Sequence, residues 1–298
     1  MMTLTCAVPA ENILGEGPIW DPRQQVLYWV DIFSLYLHSF KPETKTLQSW
    51  PMPDLLTSIA LNKSGGLVGT LRHGFVSIDL PSGTVKKLES IFPDTEMRLR
   101  CNDGKCDPQG RYWVGTMDTE VQAPLGALFC RDPLGKISQI DQGFTIANGL
   151  GWSPDLHTMY FTETITRTIF QYDFHAETGA VSNRRIFATV PEDAGVPDGL
   201  TVDSHGYVWS AHWDGWRITR YDPQGHIDQV ISLPIQRPTN CCFGGKDLSI
   251  LYITSARFGL NETDLAKGPA AGSIFALQTT VTGLSETSYF EQETVYTS

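Results

Sequence analysis

The chain has 298 residues, and its 33 acidic against 22 basic side chains give a formal net charge of -11. An acidic surface of this kind repels phosphate backbones and anionic lipids, so neither nucleic acid nor membrane is an expected partner. The amino-terminal residues lack the basic and apolar regions of a secretory signal, and no stretch is long and apolar enough to span a bilayer, so we expect a cytoplasmic protein with reduced thiols.

One sequence pattern recurs six times along the chain. Each copy has a polar residue, an alternating apolar stretch, a tight turn often of the Asp/Asn/Ser-Pro-x-Gly type, and a second aromatic-rich stretch. In chain order the copies read EGPIWDPRQQVLYWVDI from Glu16, TSIALNKSGGLVGT from Thr57, NDGKCDPQGRYWVGTM from Asn102, NGLGWSPDLHTMYFTET from Asn148, DGLTVDSHGYVWSAHW from Asp198 and TNCCFGGKDLSILYITS from Thr239. Because alternation is the period of a strand and the turn residues tolerate tight turns, each copy predicts a β-hairpin.

The spacing of the copies predicts the fold. Successive copies begin about 41 to 50 residues apart, which is the length of a four-stranded propeller blade rather than of a lone hairpin. Further strand pairs are visible at 168–187 and 217–234. We therefore predict an all-β chain that forms a single six-bladed β-propeller over residues 1–298. An open β-sandwich or two smaller β domains is the alternative, and six copies in phase disfavour it.

The first position of every copy carries a side-chain oxygen. These residues are Glu16, Thr57, Asn102, Asn148, Asp198 and Thr239. Taken singly, each is more simply a turn residue, but innermost propeller strands start around one mouth of the channel, so the shared position predicts a ring of ligands. The two carboxylates and the Asn148 amide suit Ca²⁺, Mg²⁺ or Mn²⁺, with Zn²⁺ at the softer end. Three protein ligands leave room for water and substrate, as a catalytic metal requires.

The second strand of each copy returns toward the same mouth. We therefore expect five further side chains to lie near the ring: Met117, Asp118, Glu163, His212 and Trp213. Arg100 would enter from the loop that precedes its strand, and its position alone favours an exposed surface charge.

The same motifs carry a family resemblance. The chain resembles the SMP-30/gluconolactonase/regucalcin (LRE-like) family over nearly its whole length, at ILGEGPIW, RCNDGKCDPQGRYWVGTM, ANGLGWSPD, VPDGLTVD and TNCCFGGKDLSILYITSA. The resemblance implies a six-bladed propeller that binds one divalent metal ion at the channel mouth. It assigns the metal ligands to Glu16 in GEGP, Asn148 in ANG and Asp198 in PDG.

The resemblance also implies roles for residues beside the ligands. It assigns Arg100 and Asn102 to substrate binding and Glu120, after GTM, to a further contact with the sugar. Asp103 sits beside the site and is a candidate to support the ligands from behind.

The activity that the resemblance implies is hydrolysis of sugar lactones such as gluconolactone to the aldonic acid, which is a reaction at a carboxylic ester bond. The implied cofactor is one divalent ion, Ca²⁺ or Zn²⁺ ahead of Mg²⁺ or Mn²⁺. Asp198 is expected to act both as a ligand and as the general base. Two alternatives stay open: an esterase or phosphotriesterase-like propeller, which would favour an apolar pocket, and a non-enzymatic calcium-binding propeller, whose protein ligands would close the metal site.

Overall fold

Residues 2–290, the part of the chain that the computed structural model describes, form six four-stranded antiparallel sheets around a central channel. The innermost strand of each sheet contacts the innermost strand of the next, and the last contacts the first, so the ring is closed. This confirms the predicted all-β, six-bladed propeller. The domain was predicted over 1–298, of which Met1 and 291–298 lie outside the described residues.

The blades follow one another in chain order, and each begins at the channel and runs outward. The first strand of the chain, β1 (Thr3–Val8), belongs to the last blade. Blade 1 contains β2 (Gly15–Asp21), β3 (Val26–Asp31), β4 (Tyr36–Lys41) and β5 (Thr46–Pro51). Blade 2 contains β6 (Ser58–Leu61), β7 (Leu67–Leu71), β8 (Gly74–Asp79) and β9 (Thr84–Ser90). Blade 3 contains β10 (Leu99–Cys106), β11 (Tyr112–Asp118), β12 (Gly126–Arg131) and β13 (Ile137–Phe144).

The last blade joins the two ends of the ring, because β1 pairs antiparallel with β24 as its outermost strand. Blade 4 contains β14 (Ala147–Trp152), β15 (Thr158–Glu163), β16 (Thr168–His175) and β17 (Ala180–Thr189). Blade 5 contains β18 (Val196–Val202), β19 (Val208–Trp213), β20 (Arg217–Tyr221) and β21 (Ile227–Ser232). Blade 6 contains β22 (Pro238–Gly244), β23 (Ile250–Ser255), β24 (Ile274–Gln278) and β1.

Helix is scarce in this propeller. Within residues 2–290 it is limited to a 3₁₀ turn at Glu192–Ala194 and to α1 (Glu262–Lys267). No helix in that range is long and apolar enough to cross a membrane.

Buried aspartates anchor the turns between the first two strands of a blade. In blade 3 the Asp107 carboxylate accepts hydrogen bonds from two backbone N–H groups of its own turn and, at 2.9 Å, from the indole N–H of Trp113. Asp203 binds Trp209 in blade 5 in the same way, also at 2.9 Å. Each turn thereby satisfies buried donors that would otherwise be costly to bury. Since these turns follow the innermost strands, the starts of those strands gather at the opposite mouth of the channel.

Candidate active site at the channel mouth

The innermost strands are irregular close to where they start. Among the described residues, five of them shift register against their neighbour within the first few positions, in blades 1, 3, 4, 5 and 6. Such bulges re-aim side chains and are common beside active sites. At each one, a side-chain oxygen accepts a hydrogen bond from the backbone N–H of the next residue. The five residues are Glu16, Asp103, Asn148, Asp198 and Asn240.

The observed positions differ from the predicted ring of ligands in two copies of the repeat. In copy three the equivalent position is Asp103, one residue after the predicted Asn102, and in copy six it is Asn240, one residue after Thr239. Asp103 could have been identified from the sequence. It stands directly before a glycine in the NDG motif, as Glu16, Asn148 and Asp198 do in EGP, NGL and DGL. Asn240 was missed because Cys241, and not glycine, follows it.

The two predicted threonines have structural roles. The Thr239 hydroxyl donates a hydrogen bond of 2.5 Å to the backbone oxygen of Gly15 in the neighbouring blade. Thr57 pairs with the Thr70 hydroxyl at 2.8 Å. Neither lines the cavity at the channel mouth, so the predicted ring of six ligands is wrong at these two positions.

A cavity of about 550 Å³ opens above the starts of the innermost strands. The three predicted ligands, Glu16, Asn148 and Asp198, line it together with the predicted substrate-binding residues Arg100 and Asn102. All five side chains are buried, with residue exposures of 5–8%. The structure therefore brings the three predicted ligands and the two predicted binding residues to one place.

Asn240 connects Asp103 to the ligand cluster, by which we mean the three predicted ligands Glu16, Asn148 and Asp198. Its side-chain nitrogen donates to the Glu16 carboxylate at 3.0 Å and to the Asp103 carboxylate at 3.1 Å. Asp103 does not itself line the cavity. It is therefore placed to act on the site through its contact with Asn240 and through its charge.

The carboxylates of the cluster resist ionisation. Burial, followed by the nearby charge of Asp103, raises the pKa of Glu16 to about 8. Burial and the charge of Glu16 raise the pKa of Asp198 in the same direction, and burial raises the pKa of Asp103 to about 6. Burial also lowers the pKa of Arg100 to about 10, which leaves its guanidinium charged at pH 7.

The donor set fits a divalent cation. Two carboxylates and an amide supply hard oxygen ligands, and a bound cation would stabilise the ionised carboxylates that burial disfavours. The Asn148 amide nitrogen donates to Asp198 and, at 3.2 Å, to Thr164. Metal ligation through the amide oxygen therefore requires the Asn148 side-chain amide to flip, so that its oxygen takes the place of its nitrogen. Within residues 2–290, no group of three His, Cys, Asp or Glu side chains could hold a metal ion by itself. The amide is therefore an essential part of the fit.

Arg100 is held in the cavity from the strand β10. One of its terminal nitrogens donates to the Cys101 backbone oxygen at 2.8 Å and to the Asn102 side-chain oxygen at 3.0 Å. Its other guanidinium N–H groups make no hydrogen bond with the described residues. Asn102 in turn donates to the Ala147 backbone oxygen at 3.0 Å, which links blades 3 and 4.

Glu120 is not brought to the cavity. Its side chain is 55% exposed and lies 3.8 Å from Arg98, while its neighbours Thr119 and Val121 line the cavity wall. The predicted contact between Glu120 and a sugar stays a prediction.

The residues expected on the returning strands divide into two groups. Met117 and Trp213 line the cavity, as expected. The other three are occupied elsewhere: Asp118 binds Arg98 at 3.1 Å, Glu163 accepts backbone N–H groups, and His212 bonds the Ala194 backbone oxygen at 2.9 Å. Burial lowers the pKa of His212 to about 4, so it is neutral at pH 7.

Two features of the lining were not expected from the sequence. Arg72, just after β7, adds a second guanidinium, which lies 3.6 Å from Asp54. The larger part of the lining is apolar and is contributed by Leu14, Ile32, Phe33, Leu55, Met117, Val121, Ile146, Ile165, Val196, Trp213 and Phe258.

Comparison with known proteins gives a consistent result. A family model described as the SMP-30/Gluconolactonase/LRE-like region matches residues 14–257. Pentonolactonase XacC from Haloferax volcanii is 37% identical over 289 residues, which is 96% of this chain and 97% of that protein. Regucalcin from Oryctolagus cuniculus is 35% identical over 280 residues, or 92% and 93% of the two chains. The solved structure of a calcium-binding protein, regucalcin from Agrobacterium tumefaciens, superposes with a TM-score of 0.90 at 27% identity and covers 96% of this chain and 97% of its own.

Proposed function

The chain belongs to the SMP-30/gluconolactonase/LRE-like family, and on this basis we propose that it hydrolyses sugar lactones to the corresponding aldonic acids with the help of one divalent metal ion. The observation that carries the proposal is the cluster of Glu16, Asn148 and Asp198 in a cavity that also presents Arg100 and Asn102. A relative with 37% identity is named a pentonolactonase, which supports lactones as the substrate class.

The metal is proposed from the donor set and from the names of relatives. Ca²⁺ and Zn²⁺ are the first candidates, followed by Mg²⁺ and Mn²⁺; a structural neighbour is named a calcium-binding protein. When bound, the cation would polarise the ester carbonyl and favour charge on the oxygen that forms there. Glu16, Asn148 and Asp198 would hold it through oxygen atoms.

The remaining steps fall to side chains of this protein. Arg100 would donate its unused N–H groups to substrate hydroxyls beside the ester, and Asn102, fixed by Arg100 and Ala147, would orient the ring. Asp198 has one carboxylate oxygen that is not bonded to Asn148; it would accept the proton of the attacking water and return a proton to the ring oxygen as the C–O bond breaks.

A hydrolysis assay tests the proposal. Purified protein is treated with chelator, dialysed and assayed on a panel of sugar lactones with and without added Ca²⁺, Zn²⁺, Mg²⁺ or Mn²⁺. We expect hydrolysis only after metal is restored, and loss of activity in Glu16→Gln and Asp198→Ala. Glu43→Gln, a change to an exposed residue in the turn between β4 and β5, is the matched control. Full activity of either site variant without metal would refute the metal-site assignment.

The apolar lining gives a specific reason to test a second activity. A broad esterase or phosphotriesterase-like enzyme would use such a wall without needing Arg100 for hydroxyls. Assays with p-nitrophenyl acetate and an aryl phosphotriester alongside the lactones separate the two activities. Metal binding without hydrolysis of any of these compounds would instead favour a non-enzymatic calcium-binding propeller.

A further inference from the structure

The cavity above the ligand cluster changes character with depth. Its innermost side chains, such as Glu16 and Asp198, are polar and are 7% and 5% exposed. Three apolar residues lie at its opening, where Phe258, Ile165 and Val121 are exposed by 49%, 45% and 41%. A molecule that reaches the ligand cluster therefore leaves its far end between apolar side chains.

The apolar side chains form two opposed walls. Blades 1, 5 and 6 contribute an aromatic wall of Phe33, Trp213 and Phe258, and blades 3 and 4 contribute an aliphatic wall of Met117, Val121 and Ile165. The Phe33 and Phe258 rings lie 4.9 Å apart. The Arg237 guanidinium stacks 4.6 Å from the Trp213 ring and fixes it from one side. The aromatic wall is therefore built from packed side chains.

The two threonine hydroxyls near these walls each have a hydrogen-bond partner. The Thr119 hydroxyl donates to the Arg98 backbone oxygen at 2.9 Å, and the Thr164 hydroxyl accepts from Asn148 at 3.2 Å. A substrate hydroxyl seated against the six apolar side chains of the walls would find no hydrogen-bond partner in them, so its transfer from water to that position is unfavourable. An alkyl group in the same position would gain from burial.

On the premise of the proposed lactonase function, we infer that this enzyme selects sugar lactones with an apolar far end. Hydroxyl groups beside the ester meet Arg100 and Asn102, while the carbon farthest from the carbonyl carries a methyl, alkyl or aryl group and lies between the two walls. A cavity of about 550 Å³ lies in the range that accommodates drug-sized ligands, so it has room for such a substituent. The specificity residues are the six wall residues, with Phe258 and Ile165 the most exposed to an entering ligand.

A matched substrate series tests the inference on the metal-loaded protein. Three gluconolactones differ only at the far carbon: the parent compound with its hydroxyl, the 6-deoxy compound and the 6-O-butyl ether. We expect kcat/KM to rise at least about tenfold from the parent to the butyl ether, with the deoxy compound between them. Hydrolysis with the parent equal or preferred would overturn the inference and leave the lactonase function standing. Hydrolysis of none of the three would overturn both.

A fourth compound tests the main alternative hypothesis, in which a charged side chain of the cavity recognises the far end of the substrate. If Arg72 recognises the far end of the substrate, the 6-sulfonate of the deoxy compound should be the best substrate, because a guanidinium binds sulfonate through charge and hydrogen bonds. We expect this compound to be the poorest of the series, since its charge would lie against apolar walls. A preference for the sulfonate would overturn the inference.

Variants of the two walls provide the second test. Phe258→Ser and Ile165→Ser each remove an exposed side chain from one wall, and Leu134→Ser, at a residue 64% exposed in the turn between β12 and β13, is the control. We expect the butyl-to-parent ratio of kcat/KM to fall about fivefold in each wall variant and to stay constant in the control. Circular dichroism confirms that each variant is folded. An unchanged ratio in both folded wall variants would overturn the inference.

Discussion

The side-chain nitrogen of Asn240 lies 3.0 Å from the Glu16 carboxylate, across the junction where blade 6 meets blade 1. The same nitrogen bonds Asp103 of blade 3 at 3.1 Å. One amide thus connects three blades and fixes the direction in which Glu16 points. The geometry of the proposed metal site depends on a residue that does not line the cavity.

The first prediction follows from this contact. Asn240→Ala removes both hydrogen bonds, so Glu16 loses its support and the affinity for a divalent cation should fall about 10–100-fold. Isothermal titration with Ca²⁺ and Zn²⁺ measures the change. Gln139→Ala, which loses only a surface amide contact with Gln142, is the control. Unchanged cation affinity in Asn240→Ala would show that Glu16 does not need this support.

The fold could be predicted because hairpins leave a strong pattern in sequence. Innermost and second strands are buried, so their apolar residues stand out in the sequence, and a turn aspartate ends or follows the innermost strand in copies one, three and five. The contribution of β1 to blade 6 was not predicted. Its residues Thr3–Val8 are mostly exposed or half-buried, and an outer strand of that kind carries little apolar signal.

The site was predictable where an oxygen-bearing residue precedes glycine, as at Glu16, Asn148 and Asp198. Arg100 shows the limit of reasoning from position. Its sequence position favoured an exposed loop charge, but β10 begins at Leu99, so Arg100 is already inside the sheet and only 6% exposed. Met117 and Trp213 lie near the ends of second strands and could be expected at the cavity. The other four wall residues lie in loops of different blades, and no local sequence pattern marks residues that meet only in the closed ring.

The second prediction concerns the stability of the protein without metal. The pKa of Glu16 is raised from 4.5 to about 8, so between these values the folded state keeps a proton that the unfolded chain releases. The contribution of Glu16 to the free energy of unfolding should therefore be greatest below pH 4.5 and should fall as the pH rises toward 8. The loss amounts to a few kcal/mol, at about 1.4 kcal/mol for each unit of pKa difference. Asp198 and Asp103 act in the same direction.

Thermal unfolding in the presence of chelator, from pH 5 to pH 8, measures this effect. Glu16→Gln should lose less stability over that range than the parent protein, and its melting temperature at pH 8 should be higher by about 5 °C or more. Added metal should remove most of the difference. Equal pH dependence in both proteins would contradict the prediction.

The third prediction separates binding from structure at Arg100. Arg100→Ala should lower kcat/KM about 10–100-fold for lactones that carry hydroxyl groups beside the ester, because each lost buried hydrogen bond costs about 1–3 kcal/mol. The loss should be much smaller for γ-butyrolactone, which has no hydroxyl to bind. Arg185→Ala, which breaks an exposed ion pair with Asp173, is the control. Equal losses on both substrates would mean that Arg100 chiefly supports Asn102.

The last prediction asks whether Asp198 is a base as well as a ligand. Asp198→Asn keeps an oxygen that can coordinate a cation, so it should retain part of the metal affinity and yet lose most of kcat, since an amide cannot accept the proton of water. In the metal-loaded parent enzyme, activity should fall in acid as the carboxylate takes up a proton. An adjacent cation lowers the pKa of a carboxylate, so this fall should come at a lower pH than the raised pKa in the absence of metal would give. The residual rate of the asparagine variant should lack that acid limb.

The competing explanation is that Asp198 only holds the metal, in which case saturating metal should restore the activity of the variant. A kcat near the parental value for Asp198→Asn at saturating metal would therefore exclude Asp198 as the base and leave its role as a ligand intact.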